Sequence, residues 1–417
     1  MAILVTSSGL RFAGSLSVVS ALVLCTVGCG STSPGTKTGG SGGGGNPPPT
    51  YVTEYLYAGG YPFIDQYKLS TSTGIPNAPV QMNVKGAPNM AATVPTKFLF
   101  AAQNGGHNAA GPAFNAFSIN SDGTLTLVAG SPFVLPDPEL AGMDPGFMAL
   151  TPDNSALYVM MPTATWKAFV TGFSVDTATG KLTPLSTKIS FGPDSGNASG
   201  AGQLVVDPSG HNVYAAIGAT DIDDANGHPQ AGIAAFSIDP TTKELTQLSG
   251  SPYLLPSFSG PGDPVIDPTG HFVYVAVSAL NQVQGYTRNT TTGVLTPMPG
   301  AAFAAGPFLA GLAMHPSGKF VFVLDYNQIV TYSIDSSTGQ LKDISTWTGN
   351  GGPGSCSPVP AFVVDPTGTY LYASNAASAI CVLQVDQTSG ALKLINGAVP
   401  APNGDGLASS MVLVKAQ

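Results

Sequence analysis

Beyond residue 50, apolar residues come in short runs bounded by turn-forming residues, with no long stretch of helical periodicity. Leu204-Val205-Val206 leads into Asp207-Pro208-Ser209-Gly210, and Val213-Tyr214-Ala215 follows. Asp first, Pro second and Gly fourth is the preference of a tight type I turn, because Pro presets φ and Gly absorbs the exit geometry. Two short apolar runs around such a turn predict a β-hairpin. A second pattern alternates apolar and polar residues into a Gly-bearing turn, as in Phe173-Ser174-Val175-Asp176 before Thr179-Gly180-Lys181-Leu182. It predicts a second hairpin.

Both patterns recur. The first returns at Asp267-Pro268-Thr269-Gly270, His315-Pro316-Ser317-Gly318 and Asp365-Pro366-Thr367-Gly368, and in degenerate form at Thr151-Pro152-Asp153 and Pro95-Thr96. The aromatic markers that follow it stand at 57, 100, 158, 214, 274, 322 and 372, about 52 residues apart. The second pattern opens at Tyr67, Phe117, Phe173, Phe236, Tyr286, Tyr332 and Leu383. Two hairpins per unit, seven times over residues 51–417, predict an all-β chain: a seven-bladed β-propeller of four-stranded blades. Unit one lacks an apolar strand before Tyr55-Leu56-Tyr57, while Met411-Val412-Leu413-Val414 is left over at the far end. Pairing of these N- and C-terminal strands would close the ring and remove an exposed edge.

In such blades the tight turns share one face, and the longer connections share the other. The long, variable connections are 103–112, 132–146, 218–230 and 249–262, so a ligand site is expected on that loop face, around the channel mouth. Its ionisable candidates are Asp144, Glu139 and His107 as general bases. Asp221, Asp223, Asp224 and His228 are the candidates for ligand binding. Asp221, Asp223, Asp224 and Asn226 form a dense oxygen set that would suit calcium, although the spacing is not that of an EF-hand and a solvated acidic loop has the same composition. No other cofactor is indicated.

Composition narrows the function. Only 9% of residues are charged, against about 25% in a typical soluble domain, and the formal net charge is −9. This excludes a nucleic-acid binder, a coiled coil and attachment to anionic lipid by charge. Gly 52 and Pro 36 make up about a fifth of the chain, as frequent turns require.

The first 29 residues read as a lipoprotein-type signal peptide, with an apolar stretch from Phe12 to Leu24 that is too short to span a bilayer. Thr26-Val27-Gly28-Cys29 resembles a bacterial lipobox, which makes Cys29 the lipidation site. Residues 30–50 form a Gly/Ser/Pro-rich tether with a reach of roughly 25 Å. The expected protein is exported, at the outer membrane or facing the periplasm, bound to membrane by its lipid anchor only, and monomeric. Cys356 and Cys381 fall in one repeat unit, a placement compatible with a disulfide in an exported domain or with two buried thiols.

The repeated Asp-Pro-Ser/Thr-Gly-x-x-Val-Tyr and Phe-Ser-Val-Asp…Thr-Gly-x-Leu elements resemble the seven-bladed β-propeller lactonase family over essentially all of 51–417. That family includes 6-phosphogluconolactonase-type and carboxymuconate-cyclase-like enzymes. The resemblance implies a lactone hydrolase that holds an anionic substrate with arginines, a Glu and a His at the channel mouth. No position here matches that arginine pair or that histidine. Past the signal the chain has one arginine, Arg288, expected to be exposed beside a tight turn, and lysine does not supply the same bidentate grip. The sequence therefore points to a lactonase-like propeller that binds a small molecule, a glycan or an envelope protein through its loop face. The alternative is a hydrolase of a neutral sugar lactone or other lactone.

Overall fold

The computed structural model describes residues 54–415, except 61, 71, 85–88, 94–96, 104–110, 142, 163–167, 192–200, 219–229, 256–260, 307–308, 326–327, 350–355, 357, 376–378 and 401–409. Seven antiparallel sheets follow one another along the chain. In blade 4 the strands are Ala201–Val206, Asn212–Ile217, Gly232–Ile238 and Leu245–Gln247, running from the centre outwards. Blades 2, 3 and 4 split the outermost strand into two pieces, both paired to the third strand. The expected seven blades of four strands are what the chain forms.

Blade 1 is shared between the two ends of the described chain. Its innermost strand is Ser410–Lys415, paired antiparallel with Glu54–Gly60 in the register Tyr57↔Val412. Met411, Val412, Leu413 and Val414 are all buried. The seven innermost strands contact one another in sequence around the ring, including Ser410–Lys415 with both Met90–Ala92 and Pro358–Val364.

The turn chemistry is visible in the hydrogen bonds. The Asp207 carboxylate accepts from the backbone N–H of His211 and Asn212 at 2.8 and 2.6 Å, while the N–H of Gly210 donates to the Asp207 carbonyl. Gly210 takes φ +73°, a conformation that costs a side chain. In the second hairpin Asp176 accepts from the N–H groups of Ala178 and Thr179, and Gly180 closes the turn at φ +74°.

That left-handed residue has a second role. Its carbonyl accepts a hydrogen bond from the aromatic marker of the preceding blade. Tyr214 donates to Gly293 at 2.6 Å, Tyr274 to Gly339 at 2.7 Å, Tyr158 to Lys243 at 2.8 Å, and Tyr57 to Gly123. Tyr372 of blade 7 donates to Gly74 of blade 1 at 2.8 Å, so the same latch spans the closing interface. Where the marker is Phe322, its cross-strand partner Thr331 makes the bond instead, through Oγ1 to Gly390 at 3.1 Å. The rings fill the crevices between blades with Leu, Val and Ala. Burying each such aromatic contributes about 1.5–3 kcal/mol, and the hydroxyl fixes blade register.

Arg288 departs from expectation. It is buried, with 5% of its surface exposed, on the tight-turn side between blades 4 and 5. Its Nη2 donates to Asp207 Oδ2 at 2.8 Å and to Asn212 Oδ1 at 2.7 Å. Nε donates to the Tyr214 hydroxyl at 2.8 Å, and Nη1 to the Gly270 carbonyl at 3.1 Å. The cause is Asp207, whose carboxylate is fully enclosed and whose charge the guanidinium balances.

Candidate functional site: the mouth of the loop face

Each inner strand runs from the loop face to the tight turn, so its first residues surround the mouth. The residue two before the partner of the aromatic marker is structurally equivalent in every blade. From blade 1 to blade 7 it is Ser410, Asn89, Phe147, Gln203, Asp263, Gly311 and Ala361. Four of these are polar, and all four are buried to more than nine-tenths. No cation is among them.

The backbone is irregular at this level. Register shifts separate Ala201 from Leu204, Pro261 from Pro264, Leu309 from Gly311 and Pro358 from Phe362. Four consecutive blades thus carry a bulge at the ring, with Gln203 and Asp263 inside theirs. Bulges commonly re-aim side chains beside binding sites. Asp325, which ends the second strand of blade 6, is also buried at this end and accepts from Gln328 Nε2 at 3.1 Å. The Oδ1 of Asn89 and the Oγ of Ser410 have no hydrogen-bond partner among the described residues.

Asp144 lies beside this ring. It precedes Pro145, whose carbonyl faces the Asn89 amide nitrogen in a long 3.5 Å contact, and it is half-buried three residues before Phe147. Glu139 is elsewhere. It belongs to the 3-10 turn Pro138–Leu140, and its carboxylate accepts from Lys188 Nζ at 2.7 Å, beside the outer strand of blade 3. Lys188 also pairs with Asp137 at 2.7 Å and lies over the Phe169 ring. Burial acts on Asp137 and Lys188 toward their neutral forms. The hydrogen bonds and charges of the cluster outweigh it, lowering the Asp137 pKa and raising that of Lys188. Glu139 is thus engaged in an ion pair with Lys188.

His107, and the set Asp221, Asp223, Asp224, Asn226 and His228, lie outside the described residues, as does Cys29. Among the described residues no group of three or more His, Cys, Asp or Glu is arranged to hold a metal ion. Cys356 and Cys381 are joined by a disulfide, with Cα atoms 5.9 Å apart, linking the approach to blade 7 with its third strand. The described residues of the loop side include the acidic Asp137, Glu139, Asp144, Asp263 and Asp325 and the basic Lys188. The arginine is on the opposite side.

A seven-bladed propeller with a polar mouth on its loop face is the scaffold of a defined protein class. The chain matches the model of the family described as "Lactonase, 7-bladed beta-propeller" over residues 140–307 and 297–407, and it belongs to that family. It is 24% identical over 280 residues to a 6-phosphogluconolactonase of Bacillus subtilis, covering 63% of this chain and 73% of the relative. Among solved structures it resembles a periplasmic gluconolactonase of Pseudomonas aeruginosa, with TM-score 0.67, 18% identity, and coverage of 88% of this chain and 100% of the other. A protein of Lactobacillus plantarum is equally similar, with TM-score 0.68, 17% identity, and coverage of 87% and 99%. At these identities the likeness concerns the fold.

Proposed function

We infer that this chain is an exported, lipid-tethered propeller of the lactonase family that binds a neutral small ligand at the loop-face mouth. The observation that carries the reading is the ring of buried Ser410, Asn89, Gln203 and Asp263 with no cation in it. Buried polar groups are retained where they find partners, and neutral amide and hydroxyl groups recognise hydroxyl-bearing ligands. A phosphorylated lactone would need a cationic clamp. The Arg288 guanidinium is fully engaged on the far side, and the mouth carries Asp144 and Asp263, whose charge repels an anion. Tethering through Cys29 and residues 30–50 is supported by the lipobox-like sequence and the Gly/Pro-rich spacer.

A second reading, hydrolysis of a neutral sugar lactone, is favoured by family membership and by Asp144 at the mouth. There a carboxylate would take a proton from water as its oxygen attacks the lactone carbonyl. The ring C–O bond would then break, and the freed alkoxide would be protonated. Glu139, held by Lys188, is a poorer base for this step.

Two measurements separate the readings. Calorimetric titration with neutral and phosphorylated cyclic sugars tests binding, and a pH-indicator assay on a panel of sugar and aromatic lactones tests hydrolysis. Binding of neutral ligands without turnover supports the first reading. Turnover lost in Asp144→Asn supports the second. Preference for the phosphorylated ligand overturns both.

A further inference from the structure

Seven seams join the seven blades, and each encloses its own apolar cluster. Apolar burial is non-directional and common to all of them, so it sets no seam apart. Polar ties do. Among the described residues six seams carry the hydroxyl latch: Tyr57 to Gly123, Tyr158 to Lys243, Tyr214 to Gly293, Tyr274 to Gly339, Thr331 to Gly390 and Tyr372 to Gly74. The seventh seam lies between blades 2 and 3. Its marker is Phe100, whose cross-strand partner is Ala116, so neither residue has a hydroxyl to donate.

The acceptor is nevertheless in place. Gly180 of blade 3 takes φ +74°, as Gly293 and Gly339 take +75° and +73°. Each of the three lies against the residue two before its marker: Phe98 for Gly180, Asn212 for Gly293 and Phe272 for Gly339. The seam has the geometry of a latch with the donor missing.

The same seam is short of backbone pairing. The inner strands that meet there, Met90–Ala92 and Met148–Leu150, have three residues each, whereas those of the other five blades have six or seven. At the mouth, the Asn89 amide crosses to the Pro145 carbonyl only in a long 3.5 Å contact. The ion pairs of Lys188 with Asp137 and Glu139 fasten the connecting segment to blade 3, but they are partly exposed, a setting in which such pairs contribute little. The next seam is better tied. There the Glu244 carboxylate accepts from the backbone N–H groups of Ser186 and Thr187 at 2.9 and 2.7 Å, in addition to the latch.

We propose that the ring opens locally at the seam between blades 2 and 3, which makes this seam the joint of the propeller. Few ladder bonds and no buried latch give a segment a low free energy of local opening. The seam reaches the mouth at Asn89 and Pro145, next to Asp144 in sequence, so parting of the two blades spreads the mouth there whatever it binds.

Hydrogen exchange on the full chain, read by mass spectrometry, tests this. Exchange at Met90–Ala92 and Met148–Leu150 is expected to be faster than at Ala201–Val206. Phe100→Tyr supplies the missing donor to Gly180 and should slow exchange on both sides of the seam about 5–10-fold, the range expected for one buried hydrogen bond, while Ala201–Val206 stays unchanged. Tyr158→Phe removes the latch of the next seam and should speed exchange at Ala201–Val206 by a similar factor. Exchange at Met90–Ala92 and Met148–Leu150 no faster than at Ala201–Val206 overturns the proposal. Fast exchange that Phe100→Tyr leaves unchanged without lowering the melting temperature also overturns it, because short strands are then fraying by themselves. If Phe100→Tyr lowers the melting temperature, the hydroxyl has missed Gly180 and Tyr158→Phe decides: faster exchange at Ala201–Val206 supports the joint, and unchanged exchange overturns it.

Discussion

The Tyr372 hydroxyl donates to the carbonyl oxygen of Gly74 over 2.8 Å, joining residues 298 positions apart. The same bond recurs from Tyr214 to Gly293 and from Tyr274 to Gly339, so the closing interface is built like the internal ones. It secures blade 7 to blade 1 independently of the strand pairing that completes blade 1.

Tyr372→Phe is therefore expected to cost about 1–2 kcal/mol, since it removes a buried hydrogen bond and leaves the Gly74 carbonyl unpaired. In a domain of this size that lowers the melting temperature by about 1–3 °C. Differential scanning calorimetry measures it. No change would mean that the latch adds nothing to closure.

Arg288→Met should destabilise far more, by about 3–5 kcal/mol, because Asp207 would be left charged and enclosed. Asp207→Asn combined with Arg288→Met should recover part of the loss. Arg288→Lys should not restore wild-type stability, since one ammonium cannot reach Asp207, Asn212, Tyr214 and Gly270 together. Urea unfolding of the four proteins settles the order.

His315 replaces the turn aspartate of blade 6, and its Nε2 contacts the Gly368 carbonyl of blade 7 at 3.0 Å. Burial lowers its pKa below the usual 6.5; Lys319 acts the same way, and the bond to Gly368 opposes them only in part. The unfolded chain thus takes up the proton first as pH falls. Its stabilising contribution is present above about pH 6.5 and is lost as pH falls from there through the folded-state value. Asp365 at the same interface has the opposite sign. Burial raises its pKa, so its contribution is present below the ordinary carboxylate range and is lost as pH rises through the folded-state value. Melting curves between pH 5 and 7.5 should show a loss of stability toward acid that His315→Asn diminishes, whereas Asp365→Asn, which removes a group of the opposite sign, should not diminish it.

The Cys356–Cys381 bridge closes a separation of 25 residues, for which chain-entropy arguments give about 3 kcal/mol. Reductant should lower the melting temperature of the wild type and leave that of Cys356→Ala/Cys381→Ala unchanged. Equal behaviour of the two would assign the bridge no stabilising role.

The scaffold was legible because turns are local. Asp, Pro and Gly within four residues announce each hairpin, and the apolar Met411–Val414 left over at one end announced the closing strand. The function of the markers was not legible, since the acceptor of each tyrosine hydroxyl lies in the next blade. Arg288 was misplaced for the same reason: Asp207 and Tyr214 are 81 and 74 residues away in sequence. The mouth ring carries no shared residue type, so it makes no motif. Counting four residues back from turn residues Thr93, Thr151, Asp207, Asp267, His315 and Asp365 would have found six of its members, and only the fold supplies Ser410 as the seventh.

The pairing of Glu54 with Lys415 puts both ends of the described chain on one side of the ring. Strand Glu54–Gly60 starts at the tight-turn side and strand Ser410–Lys415 finishes there, so the backbone departs on that side at both positions. A label or cross-link placed at Glu54 or Lys415 would therefore sit on the tight-turn side, away from the ring at the mouth.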